Sequence, residues 1–148
     1  MEDRHVTLSE LTTGVWYSAV FDGHGGAKTA EFAENNLHNI IRESQFYKKG
    51  DYARACVEGF ILTDRLISQK VDESSGSTAL SILIDSENIY CANIGDSRAI
   101  TSYNGHTCPL SFDHKPNRPD ELKRVEVLFT LAVYFLHFIL EWWRLGRV

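Results

Sequence analysis

The sequence predicts an α+β fold in which antiparallel sheets are flanked by helices. Two strand-like segments come first, two amphipathic helices follow them, and four further strand-like segments come after the helices. This order groups strands and helices, whereas a doubly wound fold would alternate them. A chain of 148 residues has the usual length of one domain, and its composition, 43% hydrophobic and 24% charged, is that of a globular protein.

The first half of the chain contains the opening strands and both helices. Residues 6–11 alternate in polarity and residues 15–21 are rich in β-branched and aromatic side chains, so each segment is expected to form a strand. Apolar residues at helical spacing between positions 27 and 41 predict an amphipathic helix. Asp51 is a favourable N-cap for a second helix that is expected to run to about Lys70.

The second half returns to short strands separated by polar turns. Asn104-Gly105 is a strong signal for a two-residue hairpin turn, because both residues tolerate positive φ. Two prolines predict a loop over residues 113–119, and a helix is expected to begin at Asp120. The strands predicted in this half cover residues 78–84, 89–94, 99–103 and 107–110.

Charge and cysteine content exclude several classes of protein. Fifteen Lys and Arg residues against twenty Asp and Glu residues give a net charge of −5, which argues against binding of nucleic acid. The three cysteines are far apart and form no CxxC pair, so neither a zinc ribbon nor a disulfide framework is expected. The charged amino terminus lacks a secretory signal, so a cytoplasmic or nuclear location is expected.

Acidic residues are expected to meet at one edge of the sheet. If residues 6–11 and 15–21 form a hairpin, Glu2 and Asp3 before the first strand lie beside Asp22 after the second. Clustered carboxylates favour Mg²⁺ or Mn²⁺, and the Gly23 carbonyl is a further oxygen donor. His24 would then exchange protons beside the ion. The alternative is a solvated Asp-Gly turn with two unrelated acids.

Two other clusters place small polar residues at strand ends. They are Ser75-Gly76-Ser77-Thr78-Ala79 and Gly95-Asp96-Ser97-Arg98. In the simpler interpretation they are turns whose side chains bond nearby main-chain amides. In the functional interpretation Asp96 is a further carboxylate at the same sheet edge. His106 and His114 have no partner at ligand spacing and are interpreted as surface or loop histidines.

Five short motifs together resemble the metal-dependent protein phosphatase family, type 2C, and residues 30–65 resemble its plant branch. The resemblance implies a β-sandwich of two antiparallel sheets flanked by helices. It also implies a hydrolase that dephosphorylates phosphoserine and phosphothreonine in signalling phosphoproteins, using water activated by two Mg²⁺ or Mn²⁺ ions. The motifs are Met1-Glu2-Asp3, Phe21-Asp22-Gly23-His24-Gly25-Gly26, Gly76-Ser77-Thr78-Ala79, Gly95-Asp96-Ser97-Arg98 and Asp113-His114-Lys115-Pro116.

The resemblance assigns a role to each matched residue. Asp22 would bridge the two metal ions, Glu2 would bind one of them, and Gly23 would add its carbonyl oxygen. Asp3 would hold metal-bound water. His24 would be the general acid that protonates the leaving alkoxide.

The resemblance is incomplete. It covers residues 1–126, where Asp96 matches an acid associated with an additional, weaker metal in some members. The family's phosphate-gripping arginine and two later metal-binding aspartates have no counterpart in this chain. We therefore expect weak activity and binding of a single ion. The alternative is a non-catalytic pseudophosphatase fragment that binds a phosphoprotein or regulates another phosphatase.

Residues 127–148 form a hydrophobic tail that departs from the family. As a helix, residues 127–143 would span about 26 Å, slightly less than a hydrocarbon core of about 30 Å. The tail is therefore interpreted in three ways: a membrane anchor, a translated intron or misread exon, or a substitute core element. Outside the sandwich it is expected to be helical or disordered and to promote aggregation. The sequence does not indicate an oligomeric state.

Overall fold

The computed structural model describes residues 1–71, 74–128 and 130. Met1–Asp113 pack as one unit and the residues from His114 onward belong to a second. The first unit contains three helices, α1 (Lys28–Glu43), α2 (Gln45–Lys48) and α3 (Tyr52–Lys70), within its described residues. Its strands there are β1 (Arg4–Thr12), β2 (Val15–Phe21), β3 (Gly23–His24), β4 (Gly76–Ser77), β5 (Ala79–Ile84), β6 (Ile89–Ile94), β7 (Ile100–Tyr103) and β8 (His106–Pro109).

The main sheet has four antiparallel strands in the order β1-β2-β5-β6. Two short antiparallel pairs, β3 with β4 and β7 with β8, accompany it. The turn at Asn104-Gly105 joins β7 to β8, and Asn104 has a φ of 50° there, as this turn type requires. The predicted α+β fold of antiparallel sheets and helices is therefore confirmed.

Helices α1 and α3 pack against each other, and α1 contacts β1 and β2. Alternate residues of β2, Val15, Tyr17, Ala19 and Phe21, are buried, as the period of a strand requires. The helical side of this core consists of α1 residues Ala30, Ala33, Leu37 and Ile41. Gly59 of α3 lies directly against the Ile41 side chain, so the missing side chain lets the two helices approach closely.

The opposite face of the sheet carries exposed apolar side chains. Trp16 and Val20 alternate with the buried residues of β2, and each is almost half exposed. Trp16 pairs with Ile84 of β5, which is also exposed. The sheet therefore buries one face against the helices, while its second face remains largely open in this chain.

Most element boundaries follow the sequence. Strand β2 and helix α3 begin and end where the pattern predicts, and the Arg54 amide donates to the Asp51 carboxylate at 3.2 Å, which confirms Asp51 as the N-cap. Helix α2 was not predicted. It begins after Ser44, whose hydroxyl accepts from the Phe46 amide at 3.1 Å and donates to the Glu58 carboxylate.

In the second unit, residues 119–128 are helical, close to the predicted helix start at Asp120. The Leu122 amide donates to the Arg118 carbonyl at 2.8 Å in this first turn. Of the tail at 127–148, only residues 127, 128 and 130 are described, and all three are helical. The three interpretations of the tail and the boundary at residue 126 therefore stay predictions. No helix within the described residues is long and apolar enough to cross a membrane.

We expect Leu83→Ala to lower the free energy of unfolding by about 3 kcal/mol, because it leaves a cavity in the core. Leu83 is completely buried, whereas its neighbour Ile84 points to the open face. Ile84→Ala is the matched control and should cost about 1 kcal/mol. Urea unfolding monitored by circular dichroism measures both values. Equal losses would show that the helix-facing side of the sheet is not the principal core.

Candidate active site

The first hairpin places two acidic segments side by side. Arg4 pairs with Phe21 at the end of β1 and β2, so Glu2 and Asp3 lie next to Asp22 and Gly23. The Glu2 carbonyl is so close to Gly23 that a Cβ built there would lie 2.6 Å from it. A side chain at position 23 would therefore push the two segments apart.

The oxygen donors at this edge are of the type that binds a hard divalent cation such as Mg²⁺ or Mn²⁺. Asp3 and Asp22 are exposed and Glu2 is partly exposed, and carboxylate oxygens are the donors that such a cation prefers. Within residues 1–71, 74–128 and 130, no three side chains of His, Cys, Asp or Glu form a group that could hold a metal ion. The metal ligands expected from the sequence, Glu2, Asp3, Asp22, Gly23 and Asp96, therefore stay predictions.

The motif Gly76-Ser77-Thr78-Ala79 holds the main chain of Asp22. The Asp22 amide donates to the Thr78 hydroxyl at 3.1 Å, and the Thr78 amide donates back to the Asp22 carbonyl at 2.9 Å. The Ser77 hydroxyl donates to the same carbonyl at 3.2 Å. Three hydrogen bonds thus fix the backbone that carries the Asp22 carboxylate.

His24 is positioned by the short β3–β4 pair. Gly23 pairs with Ser77 and His24 pairs with Gly76, and the His24 imidazole lies directly on Gly76. Any side chain at position 76 would collide with that ring. The chain leaves β3 through Gly25, whose φ of +68° is a left-handed conformation that other residues adopt at a cost.

The loop that carries Asp96 contacts Thr78. The hydroxyls of Thr78 and Ser97 share a hydrogen bond of 2.7 Å, and Gly95 packs on the Thr78 side chain with a φ of +93°. The Asp96 residue itself is exposed. Thr78 is thus bonded to both the Asp22 segment and the Asp96 loop.

An ion pair joins Arg98 to Asp113. The Arg98 guanidinium donates two hydrogen bonds of 2.8 Å each to the Asp113 carboxylate, which raises the pKa of Arg98. In the simpler interpretation of the sequence, Ser77, Thr78 and Ser97 belong to turns, and Asp113 belongs to the predicted loop over residues 113–119. The hydrogen bonds and the ion pair that these residues form join positions far apart in sequence. The only signal for them in the sequence is that groups able to pair stand at the ends of different predicted strands.

The fold and the motifs that it carries are those of a protein phosphatase. The family model for protein phosphatase 2C matches residues 1–129. The chain belongs to the protein phosphatase 2C family, which confirms the resemblance seen in its motifs.

Its relatives include fungal, nematode and plant proteins. Protein phosphatase 2C homolog 2 of Hypocrea jecorina is 45% identical over 112 residues, which cover 74% of this chain and 26% of the relative. The probable protein phosphatase 2C 11 of Arabidopsis thaliana is 42% identical over 132 residues, which cover 85% of this chain and 35% of that protein. The chain thus spans about a quarter to a third of the length of these relatives.

Solved structures show the same fold. A Caenorhabditis elegans sex determining protein superposes with a TM-score of 0.74 at 27% identity, over 84% of this chain and 34% of that one. The serine-threonine phosphatase 2C from Toxoplasma gondii gives a TM-score of 0.73 at 20% identity, covering 84% and 49% respectively. The second similarity supports the fold alone.

We expect Thr78→Val to lower the free energy of unfolding by about 1–2 kcal/mol, because the Asp22 amide and the Ser97 hydroxyl each lose a partner. Thr78→Ser keeps the hydroxyl and is the matched control, with a smaller loss. Urea unfolding gives the free energies, and amide hydrogen exchange at Asp22 reports the lost bond directly. Unchanged exchange in Thr78→Val would contradict the role of this hydroxyl.

Proposed function

We propose that this chain carries the amino-terminal part of the catalytic site of a metal-dependent protein serine/threonine phosphatase. Its substrate would be phosphoserine or phosphothreonine in a phosphoprotein. The main support is the Asp22-Gly23-His24 segment, whose backbone is held by Thr78 beside the Glu2 segment. Membership of the protein phosphatase 2C family gives this arrangement its chemical interpretation.

Carboxylate and carbonyl oxygens are assigned to the metal. Asp22, Glu2 and the Gly23 carbonyl would hold Mg²⁺ or Mn²⁺, Asp3 would orient water beside it, and Asp96 would serve an additional weak ion. A divalent ion bound there supplies Lewis-acid activation of water and neutralises phosphoryl oxygens. The exposed position of Asp22 leaves its carboxylate accessible to both ion and substrate.

His24 is assigned the transfer of a proton to the leaving serine or threonine oxygen. An imidazole is suited to proton transfer near neutral pH. The contact with Gly76 limits the positions of the ring beside the short β3–β4 pair. Holding an acid in place before the reaction lowers the entropic cost of proton transfer.

A second candidate function is a non-catalytic module that binds a phosphoprotein or another phosphatase. It is favoured by the lack of a group of three metal-binding side chains in the described part of the chain. Two close divalent ions repel each other and need several carboxylates, so we propose that this chain alone binds one ion and turns over slowly.

We expect slow Mn²⁺-dependent hydrolysis of a phosphothreonine peptide that is lost in Asp22→Asn, with Mn²⁺ affinity lowered by at least about tenfold. The loss follows from removal of a charged ligand. Asp51→Asn is the matched control, because asparagine also caps a helix and should leave the rate unchanged. A malachite-green phosphate assay and Mn²⁺ relaxation titrations give both values.

The same phosphate assay, together with a titration of phosphopeptide binding, separates the two candidate functions. Binding of the phosphopeptide without any Mn²⁺-dependent turnover would favour the non-catalytic module. Rapid turnover that disappears in Asp22→Asn would contradict the proposed weakness of this chain, since a complete site would then assemble from its residues.

A further inference from the structure

The main sheet has two edges, and the strands that form them differ in character. Strand β1 forms one edge and strand β6 forms the other. An edge strand presents main-chain N–H and C=O groups with which another strand can pair, and proteins usually block such pairing with charges, prolines or bulges. Within the residues that the structure describes, no strand pairs with the outer side of β6.

The β1 edge carries features that block pairing. Its register with β2 shifts between Leu8 and Thr12, so the strand is irregular there. Arg4 and Glu10 place a charged residue toward each end of the strand. An incoming strand would meet both the irregularity and the charges, so β1 is unsuited to pairing with a further strand.

The β6 edge lacks those features. Its six residues, Ile89–Ile94, include neither a charged residue nor a proline, and their register with β5 is regular over the whole length of the strand. The outer main-chain groups of β6 therefore form an uninterrupted row that another strand can follow.

An apolar groove of about 610 Å³ lies along the same edge, and its walls are formed by β6 and one side of α3. We call it the edge groove. On α3, Val57 is 61% exposed and Ile61 is 50% exposed. On β6, Ile89 and Ile94 are 49% and 45% exposed. None of the described lining residues is charged, so the edge groove favours an apolar partner surface.

We propose that β6 forms the interface of a symmetric dimer, in which β6 of a second copy of this chain pairs with it in antiparallel orientation. The main-chain groups of an edge are matched by another strand, so the partner must itself present an unpaired strand. Of the two edges of the main sheet, β1 is irregular and charged, whereas β6 is regular and uncharged. The strand that matches β6 is therefore β6 itself.

Symmetry makes the contact closed and self-complementary. A two-fold axis perpendicular to the sheet joins two four-stranded sheets into one of eight strands and places the helices of both copies on the same side. Val57 and Ile61 of each copy then cover the edge groove of the other. Each chain has a net charge of −5, but the paired strands carry no charge, so they meet without local repulsion.

The interface is expected to be small. Six strand residues extend over about 20 Å, and the adjacent helix adds a width of about 10 Å. A contact of these dimensions lies at the lower end of specific interfaces, which bury about 1,200–2,000 Å² in total. We therefore expect a reversible dimer with a dissociation constant on the order of 10 μM.

The proposal is tested by sedimentation velocity of the full chain between about 1 and 200 μM, which should show a monomer–dimer equilibrium. Hydrogen exchange resolved by residue locates the contact. Alternate amides of β6, those that point outward, should be more strongly protected at high than at low protein concentration, whereas the amides of β1 should exchange at the same rate at both.

Charged variants at exposed positions separate this contact from other association. Ile61→Lys and Ile89→Lys each bring two like charges together across the axis and should raise the dissociation constant at least about tenfold. Gln69→Lys on α3, outside the edge groove, and Ser9→Lys on β1 add the same charge and should leave the constant unchanged. Circular dichroism confirms that each variant remains folded.

Three results would overturn the proposal. One is a chain that sediments as a monomer up to about 200 μM. Another is protection of the outer β6 amides that does not change with concentration, because a segment of the same chain would then pair with β6. The third is association that persists equally in Ile61→Lys and Ile89→Lys, which would place the contact elsewhere, for example at the hydrophobic tail of residues 127–148.

Discussion

The reciprocal hydrogen bonds between Asp22 and Thr78 hold together the part of this molecule that carries the candidate active site. Each main chain donates to the other residue, at 3.1 and 2.9 Å, and the Thr78 hydroxyl continues to Ser97 at 2.7 Å. Thr78 therefore joins three segments that are remote in sequence: the residue after β2, the residue before β5 and the loop after β6. Because the groups are only partly shielded from water, their value lies more in placing Asp22 than in overall stability.

The stability of the first unit comes from the apolar core between the sheet and the helices. The inward residues of β2 and the apolar face of α1 form the core, and the lack of a side chain at Gly59 lets α3 close over it. The opposite sheet face keeps Trp16 and Val20 exposed. The relatives are much longer than this chain, so the open face and the sparse set of acidic groups are both properties of the portion present here.

One short segment, residues 76–78, contacts both parts of the candidate active site. Ser77 and Thr78 bond the main chain of Asp22, and Gly76 lies against the His24 ring. A change in the position of this segment would therefore move Asp22 and His24 together.

The sequence alone determined the fold class, the bounds of β2 and α3 and the Asp51 cap, because alternation, helical periodicity and capping are local properties of the chain. It also indicated that Glu2 and Asp22 lie at neighbouring strand ends, since a hairpin requires it. Only the tertiary structure decided the rest. The Asp22–Thr78 bonds join residues 56 positions apart, and the Arg98–Asp113 pair joins two loops. Such contacts depend on how strands are ordered in the sheet, and no local pattern encodes that order.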